Sequence, residues 1–315
     1  MIKQLKYQNI TWLSLIAPTK DEVAKLGQEY SIHPLVSEEL LQPSVRAKVD
    51  IYDDYLYLIL HFPVDKVCQP NYGDGLHEDD TYEIDFVLGK DFLITTHYEN
   101  IPPLEEFSKI LEASAGLING RKDKNIHAGH LFYYIIRQLY QSLETGLDNI
   151  NLSLKRAEQK IFAGQEAEIV KTLSGLNRCL LDFKWALKFH REVLESLELA
   201  AREFYGEKFD YYLRSIIGEY EKISNLVDSN RENFSELRST NESLLSIKTN
   251  NTMKALTTLT AIFLPVTLMG TIFGMSGTDL NMPIIKSADG FYIAVALMAI
   301  IAVVMTIIAK AKKWI

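Results

Sequence analysis

Two stretches without a single charge constrain this chain more than anything else in it. Residues 255–273 read ALTTLTAIFLPVTLMGTIF and residues 290–309 read GFYIAVALMAIIAVVMTIIA, with no Asp, Glu, Lys, Arg or His in either. A helix rises 1.5 Å per residue, so about 20 residues cross a hydrocarbon layer of roughly 30 Å. Two buried core helices are the alternative, but both segments are uncharged on every face and carry their charges at the ends. The sequence predicts two membrane-spanning helices, about 253–274 and 290–309, joined by a loop at 275–289 and closed by a basic tail.

The flanks set an orientation. Lys248 and Lys254 precede the first span, Lys310, Lys312 and Lys313 follow the second, and the loop holds only Lys286. By the positive-inside rule both termini are cytoplasmic, with Trp314 as an interfacial anchor. The expected location is the inner (plasma) membrane, crossed twice. "ITWLSLIAP" near the start is too short for a signal peptide, ends at Pro18 and reads as a strand. Two cysteines, Cys68 and Cys179, predict no disulfide framework and suit a reducing cytosol.

Charge is partitioned as well. Residues 255–315 carry four lysines against Asp279 and Asp289, so a net charge of −8 leaves −10 on the first 254 residues. An acidic body repels nucleic acid and attracts cations. No Gly-rich phosphate loop, nucleophile motif or HExxH-like metal motif is present, so no enzyme is expected.

Residues 1–128 read as a cytosolic α/β domain. "KQLKYQNITWLSLI" and "KVDIYDDYLYLILHFP" are strand-like, and "TYEIDFVLGKDFLITTHY" is a hairpin turning at Gly89-Lys90-Asp91. "TKDEVAKLGQEY" and "HPLVSEELLQ" predict short helices, with Thr19 as N-cap and Pro34 near a start. His77, Glu78, Asp79 and Asp80 are adjacent in sequence, so they cannot all face one ion, and a plain loop is expected.

Residues 129–252 are helical in texture. Apolar positions from Phe132 to Ile161 and from Ile169 to Leu197 step by threes and fours on either side of Gly164, predicting an antiparallel hairpin with His190 as a satisfied core residue. A third helix from about 209 carries two heptad columns, Leu213-Tyr220-Val227-Phe234-Asn241-Lys248 and Ile216-Ile223-Asn230-Leu237-Leu244-Asn251. Sustained heptads imply coiled packing, and polar residues within them limit register and oligomer state. With no proline before Pro265, the helix runs on into the membrane, and a helix that long needs neighbours, which oligomerisation supplies most simply.

Inside the first span the same phase places Asn250, Met253, Thr257, Thr260, Leu264, Thr267, Thr271 and Gly274 along one stripe. Hydroxyls alternating with apolar residues fit helix packing and a pore wall equally well. The absence of ionisable groups favours passive movement of ions that keep much of their water, or no conduction at all.

Taken in order, "KTNNTMKALT", "IFLPVT", "GTIFGM", a loop closing in "MP" and a terminal "KAKKWI" resemble the CorA-type divalent-cation channels. The N-terminal "HPLVSEELLQPSVRAKVDIYDDYLYLILHFP" and "FVLGKDFLITTHYENIP" are similar to that family's cytosolic domain, so the resemblance covers essentially the whole chain. It implies a mainly α, α+β membrane protein shaped as a funnel. The assembly would be a homopentamer in a lipid bilayer, moving hydrated Mg²⁺ or another divalent cation as substrate and regulator, with no cofactor. Asn250 would stand at the pore mouth, Met253, Leu256 and Leu264 at a hydrophobic gate, and Thr267 on a polar ring.

The resemblance breaks at the selectivity loop. Where the family has Gly-Met-Asn, this chain has Gly274-Met275-Ser276, and a hydroxyl offers fewer hydrogen-bonding sites than an amide. Gly277 admits backbone carbonyls toward the axis, Asn281 can replace the missing amide, and Asp279 and Asp289 concentrate cations at the outer mouth. In the stalk, Ser239 falls where the family's regulatory Asp would stand, leaving Glu236 and Glu242 as the nearest metal-binding carboxylates. Two alternatives stay open: a zinc transporter of the ZntB-like branch, and a non-conducting membrane-anchored sensor or scaffold.

Overall fold

A computed structural model describes residues 2–44, 46–64, 81–115, 126–274 and 289–312. The chain divides into two units, Met1–Arg238 and Ser239–Ile315. The predicted loop 71–80, Cys68, Lys286, Lys313 and Trp314 lie outside the described residues.

The first unit is built on a six-stranded mixed sheet. Its strands are β1 (Ile2–Tyr7), β2 (Ile10–Ile16), β3 (Lys48–Ile51), β4 (Leu56–Pro63), β5 (Thr81–Leu88) and β6 (Phe92–His97), ordered β1-β2-β6-β5-β4-β3. Among the described residues only β2 and β6 pair in parallel. "KQLKYQNITWLSLI" forms two strands in a hairpin, turning at Gln8 with φ 55. The hairpin expected at Gly89-Lys90-Asp91 forms, with Leu88 opposite Leu93.

Nearly every residue of β4, β5 and β6 is buried, because helices cover both faces. On one face α1 (Lys20–Glu29) and α2 (Pro34–Glu39) enclose Leu13, Leu15, Val36, Tyr57, Ile59 and Ile94. α1 begins in a capping box: Thr19 Oγ1 accepts from the Glu22 amide at 3.3 Å, and Glu22 Oε2 accepts from the Thr19 amide at 2.9 Å. On the other face lie α4 (Ala128–Phe162), α5 (Val170–Leu187) and α6 (His190–Tyr205), where Phe86 meets Phe132 edge-on at 5.2 Å. α3 (Pro102–Ala115) packs against α4 and β1.

The helix expected from Ile169 to Leu197 is in fact two, α5 and α6, broken at Lys188–Phe189. No glycine or proline marks the break, where the Lys188 ammonium sits 5.3 Å from the Trp185 ring and 5.0 Å from that of Phe189. Cys179 on α5 is disulfide-bonded, which corrects the expectation of no disulfide framework.

α7 (Asp210–Gly274) is one helix of 65 residues, as the heptad columns predict. Leu213, Ile216, Tyr220, Ile223, Val227, Asn230, Phe234 and Leu237 are all buried within this single chain. Much of the neighbour surface assigned to oligomerisation is thus supplied by the chain's own helices. α8 (Gly290–Ala311) completes the second unit, and both helices are long and apolar enough to cross a membrane.

Candidate functional site

In the second unit α7 presents an open groove of about 540 Å³ lined by Leu259, Thr260, Phe263, Leu264, Thr267, Leu268 and Thr271. Four residues singled out from sequence, Thr260, Leu264, Thr267 and Thr271, are therefore brought onto one face. Asn250, Met253 and Leu256 are exposed on the same helix, nearer its N-terminal end, and do not line the groove. α8 leaves this face open while packing elsewhere: a Cβ added at Gly270 would stand 3.8 Å from Met298 Cε. Small residues at such contacts let helices approach without a hydrophobic driving force.

Each threonine hydroxyl in the groove donates to its own backbone. Thr260 bonds the Leu256 carbonyl at 2.9 Å, Thr267 that of Phe263 at 2.9 Å, and Thr271 that of Leu268 at 2.8 Å. The hydroxyls are thereby satisfied in an apolar medium, and their oxygens keep lone pairs free to accept. The face alternates such acceptors with Phe263, Leu264 and Leu268. Chemically it can hold a hydrated species but supplies no charge to bind a dehydrated ion.

Gly274 ends α7, and Met275, Ser276, Gly277, Asp279 and Asn281 lie outside the described residues. Glu236 and Glu242 are both exposed on α7. Among the described residues no group of three or more His, Cys, Asp or Glu side chains is gathered so as to hold a metal ion.

Sequence reasoning missed the buried polar chemistry of the first unit. Glu83 and Asp85 project from the same face of β5, and neither is open to solvent. Glu83 accepts from the Ser44 amide at 2.9 and 2.7 Å and lies 3.1 Å from His61 Nε2. Burial works against a charged His61, but the bonds to Glu83 and to the Ser44 carbonyl outweigh it and raise its pKa. Asp85 meets the Glu83 carboxyl and the Tyr98 hydroxyl, and burial first, then the Glu83 charge, raise its pKa well above the ordinary value. The available signal was a pair of acids two apart in an otherwise apolar strand, "TYEIDFVL".

Known proteins resemble this arrangement throughout its length. A family profile described as "CorA-like Mg2+ transporter protein" matches residues 7–311. The cobalt/magnesium transport protein CorA of Thermotoga maritima is 27% identical over 306 residues, covering 96% of this chain and 83% of that protein. The protein of the same description from Methanocaldococcus jannaschii is 24% identical, covering 97% and 92%. Among solved structures, the complete CorA magnesium transporter of M. jannaschii superposes with a TM-score of 0.79 at 22% identity, covering 99% of this chain and 94% of that one. Full-length CmaX gives 0.69 at 19% identity, covering 98% and 90%. These likenesses show a common fold.

Proposed function

The chain belongs to the CorA-like Mg2+ transporter family, a family of membrane transporters of divalent cations, and from that premise we propose that it is a homopentameric channel whose pore is lined by the membrane part of α7. The observation that carries this reading is the groove on α7, where Thr260, Thr267 and Thr271 present hydroxyl oxygens between Phe263, Leu264 and Leu268. Copies arranged about an axis with this face inward would form polar rings separated by apolar constrictions, a layout that passes hydrated ions and closes by dewetting.

Mg²⁺ is the expected substrate, with Co²⁺ and Ni²⁺ as further permeant ions. Mg²⁺ gives up its waters reluctantly, so a pore without charged groups suits it in hydrated form. Movement follows the gradient and the membrane potential, which contributes about 2.3 kcal/mol per charge per 100 mV, hence roughly 4.6 kcal/mol for a divalent ion. Asn250, Met253 and Leu256, exposed toward the N-terminal side of the span, form the inner mouth and first constriction. Asn281 and the carbonyls near Gly277 replace the amide that Ser276 lacks, and Asp279 and Asp289 draw cations to the outer mouth. Glu236 and Glu242 are the proposed regulatory carboxylates.

Ser276 favours a second reading, in which the same scaffold carries zinc or conducts nothing. Purified protein in liposomes, with Mg²⁺, Co²⁺, Ni²⁺ and Zn²⁺ flux recorded for the natural chain and for Ser276→Asn, separates these. Mg²⁺ flux in the natural chain supports the channel. Zn²⁺ flux alone moves it to the second reading, and absence of flux restored by Ser276→Asn marks a scaffold turned to another role.

A further inference from the structure

α4 and α7 pair in parallel along a long seam. Tyr133 Oη lies 3.4 Å from Ser215 Oγ, the rings of Tyr140 and Tyr220 stand 6.4 Å apart, and Lys222 Nζ donates to Glu144 Oε2 at 2.6 Å. Further along, Asn230 Nδ2 donates to the Leu147 backbone carbonyl at 3.2 Å. The partners climb together in both helices. Three of these contacts join flexible or exposed side chains or rings, which adjust to small shifts. The fourth does not: Asn230 is 4% exposed and shares its column with Ile216, Ile223 and Leu237, which are buried and apolar.

Backbone carbonyls recur at every turn of α4, so the hydrogen bond alone would not choose one register. Gly146, next in sequence to Leu147, offers a basis for the choice. It is buried, and it is the only glycine of α4 beyond the first turn. Glycine weakens a helix interior relative to alanine, and it is used where something must approach the backbone closely. One turn to either side stand Leu143 and Ile150, both buried. Sliding α7 by a turn, about 5.4 Å, would drive the Asn230 amide against one of them and bring Leu226 or Phe234 to the glycine.

We infer that Asn230, seated on the Leu147 carbonyl beside Gly146, is the positioning residue that fixes the axial register of α7 against α4. The helix carrying the proposed pore face therefore cannot slide by a turn along α4. The functional half of this inference rests on the pore reading above. A buried asparagine in an apolar seam specifies register at a cost in stability, so its removal should strengthen the fold while loosening the alignment.

The test uses the full-length protein in liposomes with Glu144→Cys paired either with Lys222→Cys, in register, or with Leu226→Cys, one turn away. Linked peptides are identified by mass spectrometry. With Asn230 present, the in-register link should exceed the other by about tenfold or more. Asn230→Leu should raise the thermal midpoint, bring the two links to comparable yield and change Mg²⁺ flux several-fold, with Asn230→Gln returning both readouts toward the natural protein. Gly146→Ala should loosen the register in the same sense. An unchanged link ratio in Asn230→Leu overturns the register role. A changed ratio with unchanged flux keeps that role and overturns the placement of the pore on α7.

Discussion

The Tyr140 hydroxyl stands 2.8 Å from His190 Nδ1, deep between the sheet and the helices that cover it. His190 is the first residue of α6, is fully buried, and directs Nε2 at the His61 backbone carbonyl at 2.6 Å. The carbonyl must accept, so Nε2 carries the proton, Nδ1 accepts from Tyr140, and the ring is neutral. β3 pairs with β4 only as far as Ile59, so His190 supplies a donor to a strand carbonyl beyond the reach of β3.

Acid should therefore attack this junction. Burial lowers the His190 pKa from 6.5 to about 4, and the same cause with the neighbouring His130 brings His127 to about 4. A histidine with a depressed folded pKa contributes stability that is present above its unfolded pKa and lost as pH falls toward the folded one. For the fully buried His190 the loss between pH 6.5 and 4 is on the order of 3 kcal/mol. The thermal midpoint of the detergent-solubilised chain should fall steeply across that window, and less so in a His190→Leu, Tyr140→Phe double variant. Equal slopes in both would remove His190 as the cause.

Asp85 should behave in the opposite sense. Its pKa is raised by burial and by Glu83, so its contribution is fully present below the ordinary 3.8 and is lost as pH rises through the folded value. Asp85→Asn keeps the shape and removes the titration, and is expected to stabilise the chain at neutral and alkaline pH by about 1–3 kcal/mol. Infrared spectra give an independent check: above pH 3.8 the natural protein should keep a protonated carboxyl band that Asp85→Asn lacks. A band of equal size in both would place the proton elsewhere.

Gly129 should not tolerate a methyl group. A Cβ there would meet Phe209 Cζ at 2.7 Å and His127 Cε1 and Nδ1 at 2.9 Å. His127 is itself stacked on Tyr205 at 4.2 Å, and Tyr205 donates to the Gly89 carbonyl, so little in this cluster can give. Overpacking of this kind costs about 1–3 kcal/mol. Gly129→Ala should lower the thermal midpoint, whereas Gly175→Ala, with open space around it, should not. Comparable midpoints for the two would show that the aromatic cluster yields.

The parts of this fold that were legible from sequence are those where one strong physical demand acts on many residues. Lipid excludes charge from about 20 consecutive positions, so both spans could be read directly, and burial against α4 repeats along α7, so its columns could too. What escaped depends on single contacts. The break at Lys188–Phe189 has no glycine or proline to mark it, and beside it stands a cation over two rings. Asp85 reads as an ordinary alternation until the α2 side of the sheet is seen to be closed. Asn230 announced a register device, but its partner is a backbone carbonyl, which no side-chain pattern records.

The pore reading makes its sharpest prediction at Asn250 and Leu264. Both are exposed in the single chain, Leu264 at 65%, so neither holds the fold together and truncation should leave expression and assembly intact. Leu264 lies in the groove between Thr260 and Thr267, where an apolar ring acts as a constriction. Leu264→Ala should widen it and raise Mg²⁺ flux in liposomes several-fold, while Asn250→Ala should lower flux by removing an amide from the inner mouth. Cysteine at 264, treated with a charged thiol reagent from the aqueous phase, should block flux if the face is wet and leave it unchanged if lipid covers it. Unchanged flux in both alanine variants, together with protection of the cysteine, would mean that the groove faces lipid or a partner helix, and the threonine stripe would then be a packing surface.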